Sequence, residues 1–220
     1  MNANPKDDVK KLDRYRAPRG RFRVLEVPEL TYLVVDGHGD PNTTPEFRAA
    51  IEALQPVSWA LKLASKAAGR DYVVPPLEGL WWARDAELFT SARDKSTWDW
   101  RLLMLVPGGT GRADSTDSAG RADSTAVAAA VERVRAKGAP ERLDDVRLET
   151  LAEGLCVQTL HVGSFDDEAA LIARMHGEFL PAQGLRPTGR HHEIYLSDAR
   201  RVAPERQRTI IRQPVARVAG

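Results

Sequence analysis

The chain has only one cysteine, Cys156, in 220 residues. A lone thiol cannot form an intramolecular disulfide, and it excludes zinc sites built on paired cysteines. Charge of one sign is also missing. The 32 Lys and Arg against 31 Asp and Glu leave a formal net charge of +1, which gives no overall pull toward nucleic acid or anionic lipid. No apolar run is long enough to span a bilayer. Residues 1–8 carry no apolar stretch of the kind a secretory signal needs, so a cytoplasmic location without membrane contact is the expectation. No phosphate-cradling Gly-rich loop, dinucleotide fingerprint or Gly-x-Ser-x-Gly elbow is present. His191 and Glu193 match the His-x-Glu element of zinc deaminases, but the Pro-Cys-x-x-Cys partner is absent. Neither a metal nor a cofactor is expected.

What the chain does have is an ordinary globular composition, 42% hydrophobic and 29% charged, sufficient for one sizeable core. Residues 1–21 are basic and interleaved with acids, and read as a solvated lead-in. Residues 22–37 alternate Leu30, Tyr32 and Val34 against Thr31, Leu33 and Val35, as a strand does. Thr44 and Pro45 then open a helix carrying Phe47, Ile51, Leu54 and Leu61 at helical spacing. Pro56 lies inside that pattern and should kink or split it. Residues 73–83 and 98–106 return to strand character. Residues 108–125 are rich in Gly, Ser, Thr and Asp and contain the tandem pair Arg112–Thr116 and Arg121–Thr125, a composition suited to a flexible surface loop. A helix over about 126–137 follows.

The second half repeats the order of the first. Strand character over 148–162 turns at Glu153-Gly154, and a helix opens near Ser164 with Asp166 and Asp167 and ends at Gly184. Strands follow over 191–197 and 207–212. Each half reads strand, helix, strand, strand. The fold class is therefore α+β: two modules related by a pseudo-two-fold, on an antiparallel sheet with helices on one face and a ligand groove on the other. The expected division is a lead-in (1–21) and a single domain (22–220), with module one over 22–107, the loop over 108–125 and module two over 126–220.

The most informative stretch is His191–Asp198. On a strand, Ile194 and Leu196 share one face while His191, Glu193 and Tyr195 share the other. In water this is an ordinary surface pair of acid and phenol. Under an aromatic roof the acid loses solvent and becomes a candidate general base, or a counter-charge for a cation, beside an orienting hydroxyl. Five Trp supply possible roofing. Trp81 and Trp82 are adjacent and so face opposite ways on their strand, and Glu78 precedes them. Trp98 and Trp100 share a face, and Trp59 lies on the first helix. With Tyr32 they would suit a planar aromatic or cationic ligand. Core packing is the competing role for each Trp. His161 stands beside a turn, where a structural role competes with ligand contact. Cys156, between Leu155 and Val157, reads as buried and inert.

Taken together, Pro75–Trp82, the Trp98-Asp99-Trp100 strand, Glu153–Gln158, His161–Gly163 and His191–Asp198 resemble the stand-alone GyrI-like small-molecule-binding proteins, over about residues 22–215. The resemblance implies the two-module fold around a central groove. It also implies one of two activities. Some members are sensing domains of helix-turn-helix activators, in which a buried Glu meets cationic drugs. Stand-alone members are similar to hydrolases that open the cyclopropane of planar DNA alkylators of the yatakemycin and duocarmycin type. On this resemblance Glu193 becomes the water-activating base, Tyr195 the donor that steadies the developing phenolate, and Trp81 and Trp82 the family's paired tryptophans; from the residues themselves, Trp59, Trp100, Tyr32, Glu78, His161 and His191 complete the expected ligand-binding set. Sequestration of a drug without chemistry, or modulation of gyrase through a surface patch, are the alternatives. The stretch before Phe22 is too short for a helix-turn-helix, so no direct nucleic-acid contact is expected. The chain departs from the pattern at Pro56 and over 108–125.

Overall fold

The frame of the molecule is a pair of long strands that bend at matching points. In the computed structural model, which describes residues 6–84, 94–107, 124–165 and 167–218, β1 (Arg23–Val27) and β2 (Leu30–His38) are joined only by Pro28 and Glu29. Strands β5 (Arg147–Leu151) and β6 (Gly154–Val162) are joined only by Ala152 and Glu153. Val27 lies opposite Gly154 and Leu30 opposite Leu151, so one antiparallel register continues through the bend. Pro28 can donate no ladder hydrogen bond there, and Gly154 takes the left-handed φ of +64°.

The remaining strands are β3 (Leu77–Ala83), β4 (Trp98–Leu105), β7 (Leu185–Pro187), β8 (His191–Tyr195) and β9 (Arg208–Arg217). The sheet runs β1-β6-β9-β8-β3-β4-β2-β5, antiparallel throughout, with β7 added beside β9. Because β1 and β2 stand far apart in that order yet adjoin in sequence, the sheet must curl strongly. The pairing of β3 with β8 joins the modules, setting Gly79 opposite Glu193 and Trp81 opposite His191.

Helices cover one face. Helix α1 (Pro45–Ala67) buries Ala50, Ala53, Leu54, Val57 and Leu61 against Leu33, Val35, Trp81, Trp98, Trp100, Leu102 and Met104. Each fully buried Leu or Val among them is worth about 1.5–3 kcal/mol. Helix α2 (Ser124–Arg135) adds Val127, Ala130 and Val134 to the same core. In module two, α3 (Ala169–Arg174) passes through a wider π-type turn (Met175–Phe179) into α4 (Leu180–Ala182). Pro181 has no N–H for the carbonyl of Gly177, which accounts for the widened turn. Met175 and Leu180 pack on Val157, Leu185, Ile211 and Val215. Beside β4, Trp100 lies so close over Gly37 that a Cβ there would stand 2.1 Å from the ring, so β2 needs glycine at that point.

The α+β class, the antiparallel sheet and the one-sided helices agree with the sequence reading. Four local expectations change. Residues 22–37 form two strands, not one, because Pro28 interrupts the ladder. Pro56 does not split the first helix: α1 runs unbroken from Pro45 to Ala67, since its buried side chains hold it on the sheet and Glu52, whose carbonyl loses its donor, is on the exposed flank. The lead-in is not merely solvated. Val9 and Tyr15 are buried with Tyr32, Val34, Leu80, Leu103, Leu105, Leu160, Ile194 and Ile210, and cover the face that lacks helices. Among the described residues, the lead-in therefore covers the face on which the ligand groove was expected. The expected low-complexity loop lies outside the described residues up to position 123, and α2 begins at Ser124, ahead of the expected start.

Beneath the lead-in lies a fully enclosed ionic chain. The imidazole of His192 bridges two acids, Nε2 to Glu78 Oε2 and Nδ1 to Glu153 Oε1, both at 2.9 Å. Tyr15 donates to Glu78 Oε1 at 2.6 Å. Arg212 donates to Glu153 Oε2 at 2.9 Å, to Gln158 at 3.2 Å and to the Arg14 carbonyl at 2.6 Å. Two carboxylates meet two cations, so the burial is charge-balanced. Burial opposes charging His192, but Glu153 and Glu78 outweigh it and lift its pKa from 6.5 to about 9. Burial likewise works against ionised Glu153, yet His192 and Arg212 hold it down at about 2.

These shifts fix the sign of the pH dependence. The raised His192 value contributes stability that is complete below pH 6.5 and is lost as pH rises through about 9. The lowered Glu153 value contributes stability that is complete above pH 4.5 and is lost as pH falls toward about 2. Urea unfolding across this range should show both limbs. Replacing Arg212→Met removes one of the two cations that hold Glu153 and should cost about 3–5 kcal/mol in the same measurement.

Candidate functional site

Alternation along β8 separates two charge systems. His192 and Ile194 point to the lead-in, while His191, Glu193 and Tyr195 point to the helix-bearing face, at the module junction. The acid is thus on the side of the sheet opposite to the expected groove position. Tyr195 donates its hydroxyl to Glu193 Oε2 at 2.8 Å, and Trp81 Nε1 donates to the Tyr195 oxygen at 3.0 Å. His191 Nε2 lies 3.4 Å from Glu193 Oε1. Glu193 is only 7% exposed.

Close approach at this point depends on Gly79, which faces Glu193 across the ladder. A Cβ there would stand 2.8 Å from Trp81 Nε1 and 2.9 Å from the Tyr195 oxygen. The indole and phenol occupy the space that a side chain would fill.

Aromatic rings surround the relay. Phe47 of α1 stacks on Trp81 with centroids 5.8 Å apart, Trp98 meets Trp81 at 5.9 Å in an edge contact, and Phe165 meets Tyr195 edge-on at 5.7 Å. Phe165 arrives from the turn between β6 and α3. That turn is pinned by His161 Nε2 on the Ser164 carbonyl oxygen at 2.8 Å and by the Ser164 hydroxyl on Asp167 Oδ2 at 2.7 Å. It also delivers Glu168, which is 4% exposed.

Burial favours the neutral form of Glu193, but the neighbouring His191 and the hydrogen bond from Tyr195 outweigh it and hold the acid below its usual 4.5. Tyr195 is pushed well above 10, first by burial and then by the Glu193 charge, so it remains a donor. His176, on the π-type turn, is lowered by burial and by neighbouring His191.

Of the residues singled out in the sequence, Glu193, Tyr195, Trp81 and His191 come together here. His161 shares their face but bonds the turn that carries Phe165 and Glu168. Trp100 is also on this face, one strand further out, buried under Phe47 and over Gly37. Three others lie on the opposite face, which corrects their assignment to a common ligand set. Glu78 belongs to the ionic chain, Tyr32 is buried beside it, and Trp82 is capped by the Arg190 guanidinium 3.5 Å from its ring centroid. Trp59 is 52% exposed on the outside of α1. The sequence reading passed over Glu168, Phe165 and Gly79. Glu168 follows two aspartates and reads there as one more acid at a helix start. Its one signal is that Glu is a poor residue at the position just before a helix.

A buried, ionised carboxylate with its own donors, set among aromatic rings at the junction of two repeated modules, defines a small-molecule-binding domain. The model of the GyrI-like small molecule binding domain matches residues 110–216. An uncharacterized conserved protein from Listeria innocua is 34% identical, over 96% of this chain and 100% of that one, with a TM-score of 0.81. A hydrolase from the same organism is 32% identical over the same shares, with a TM-score of 0.78. The EcmrR C-terminal domain, 11% identical over 90% of this chain and 98% of its own, shares the fold with a TM-score of 0.54. No curated protein matches. The chain belongs to the GyrI-like small-molecule-binding family. Among the described residues, no helix is long and apolar enough to cross a membrane.

Gly79→Ala should force Trp81 and Tyr195 apart and destabilise the protein by about 1–3 kcal/mol in urea unfolding. The Trp81 indole resonance in a proton–nitrogen NMR spectrum should move with it, because its acceptor is displaced.

Proposed function

We propose that this protein hydrolyses planar, electrophilic small molecules, with cyclopropane-bearing DNA alkylators of the yatakemycin and duocarmycin type as the substrate class, and that Glu193 activates the attacking water. The observation that carries this reading is the ionised, nearly dry Glu193 carboxylate, fixed by Tyr195 and His191 among aromatic faces. The hydrolase relative at 32% identity supports hydrolysis, and the family resemblance supplies the substrate class.

The step balances simply. Glu193 takes a proton from water as the water oxygen bonds to the strained ring methylene. The breaking carbon–carbon bond sends its electron pair into the conjugated dienone, giving a phenolate that takes a proton from solvent. Glu193 then returns its proton to solvent. Ring opening relieves strain and restores aromaticity, so a carboxylate with a low pKa is a sufficient base. The Tyr195 proton is already committed to Glu193, so Tyr195 serves here by orienting the carboxylate, with Trp81 orienting Tyr195 in turn. The opened product can no longer alkylate DNA.

A second reading has one specific observation in its favour. A fixed negative charge beside aromatic rings also suits a cationic aromatic ligand held without chemistry. Incubation with excess cyclopropanoid compound separates the two. A hydrolase gives many equivalents of ring-opened product per protein, whereas a sequestering protein stops at or below one. Glu193→Gln should abolish turnover while retaining binding, and retained turnover refutes the base assignment. Because the Glu193 pKa is lowered, kcat/KM should hold from neutral pH down to 4.5 and fall only below it.

A further inference from the structure

We propose, resting on the reading of the Glu193 junction as a ligand site, that Phe165 is its specificity-determining residue: a ring held by a braced turn beside Tyr195, which selects flat aromatic ligands. Burial divides the rings around the relay. Trp81 and Trp98 are 4% and 7% exposed and pack in the core with Leu33, Leu54 and Leu102, so they have little face to offer. Phe47, Tyr195 and Phe165 are half-buried. The contacts form one row across the module junction. Phe165 meets Tyr195 at 5.7 Å, the Tyr195 oxygen accepts from Trp81 Nε1 at 3.0 Å, and Trp81 stacks on Phe47 at 5.8 Å. Phe47 and Phe165 are thus the two ends of the row, one from each module.

Of the four residues in that row, Phe165 alone belongs to neither a helix nor a strand. Side chains fix it instead. His161 Nε2 is 2.8 Å from the Ser164 carbonyl oxygen, and the Ser164 N–H and hydroxyl both donate to Asp167 Oδ2, at 3.3 and 2.7 Å. Gly163 lets the turn close on His161, since a Cβ there would stand 3.1 Å from two atoms of the imidazole. These bonds bracket Phe165 in sequence. Helix α3, which follows, has only six residues and cannot hold the turn by itself. An unbraced, half-exposed phenylalanine would settle flat on the nearest apolar surface. This one stands at 86° to the Tyr195 ring, with part of its surface still in solvent.

A ring in that position sorts ligands by thickness. A flat aromatic ligand gains stacked or edge contact with Phe165 as it approaches Tyr195. A puckered ligand of the same size must displace the braced turn to come as near. Phe165 has no donor, acceptor or titratable group, so it acts on affinity and leaves proton transfer to Glu193. Its loss should therefore appear in Kd and KM, and not in kcat.

Binding can be read without turnover, by titrating the full chain with the ring-opened product of a duocarmycin-type compound and following tryptophan fluorescence. Phe165→Ala should weaken binding about tenfold. Phe165→Tyr should keep wild-type affinity, and Phe165→Leu, which restores bulk without a flat face, should stay weak. Wild-type affinity in Phe165→Ala, full rescue by leucine, or a wild type that does not bind the flat compound overturns the proposal. The brace is tested at Asp167, which is exposed. Asp167→Ala should weaken binding about threefold in the wild type and not further in Phe165→Ala, because both changes act through one ring. An equal loss in both backgrounds overturns the role of the brace. With the intact cyclopropanoid, Phe165→Ala should raise KM about tenfold with kcat held within about twofold, and a loss confined to kcat overturns the assignment. A protein whose binding depends on Phe165 but which gives no ring-opened product keeps the assignment and refutes the hydrolase reading, so the two failures are distinguishable.

Discussion

The register between β3 and β8 is the constraint on which both charge systems depend. Side chains alternate along a strand, so this single pairing sends Glu193 and Tyr195 toward Trp81 and sends His192 toward Glu78. A slip of one residue would exchange the two faces. Glu193 would then meet the acids of the ionic chain, and His192 would lie among the tryptophans. Gly79 locks this register from the other side, because it is where the indole and the phenol close over the backbone.

The two faces use buried charge in opposite ways. Beneath the lead-in, each acid has a cation and each cation has an acid, and the result is a rigid, compensated strut with no work left to do. On the helix side the negative charge is held by neutral donors and one imidazole. Among the described residues, none there forms so close an ion pair with it as Arg212 does with Glu153. Charge that is kept ionised without being cancelled remains available to a ligand, and this difference separates the functional acid from the structural ones more clearly than burial does.

Much of this could be read from the chain. Period-2 alternation placed Glu193 and Tyr195 together and away from Ile194, and the repeated order of strands and helices gave the two modules and the antiparallel sheet. What could not be read was which groups sit across from one another. Trp81 and Trp82 are equivalent in sequence, and only the position of α1 decides that Trp81 joins the site while Trp82 faces away. Glu78 carries no mark that its partners are Tyr15 and His192. Glu168 is buried by a turn whose shape depends on His161 and Asp167, side chains with no periodic pattern. The lead-in was misread for a related reason: its two apolar anchors, Val9 and Tyr15, are diluted among charged residues that local composition weighs equally.

The contact between Arg212 and the carbonyl of Arg14 spans 198 positions of sequence. Until β9 has been made and paired, the lead-in lacks its contacts with Ile210 and Arg212, and Glu153 lacks its arginine. Folding must therefore carry the entropy of a very large loop before the ionic chain rewards it, the circumstance in which non-local topologies fold slowly. The same connection means that pulling on the lead-in loads β9, and through it β8, so a mechanical disturbance far from Glu193 in sequence is transmitted to the strand that carries it.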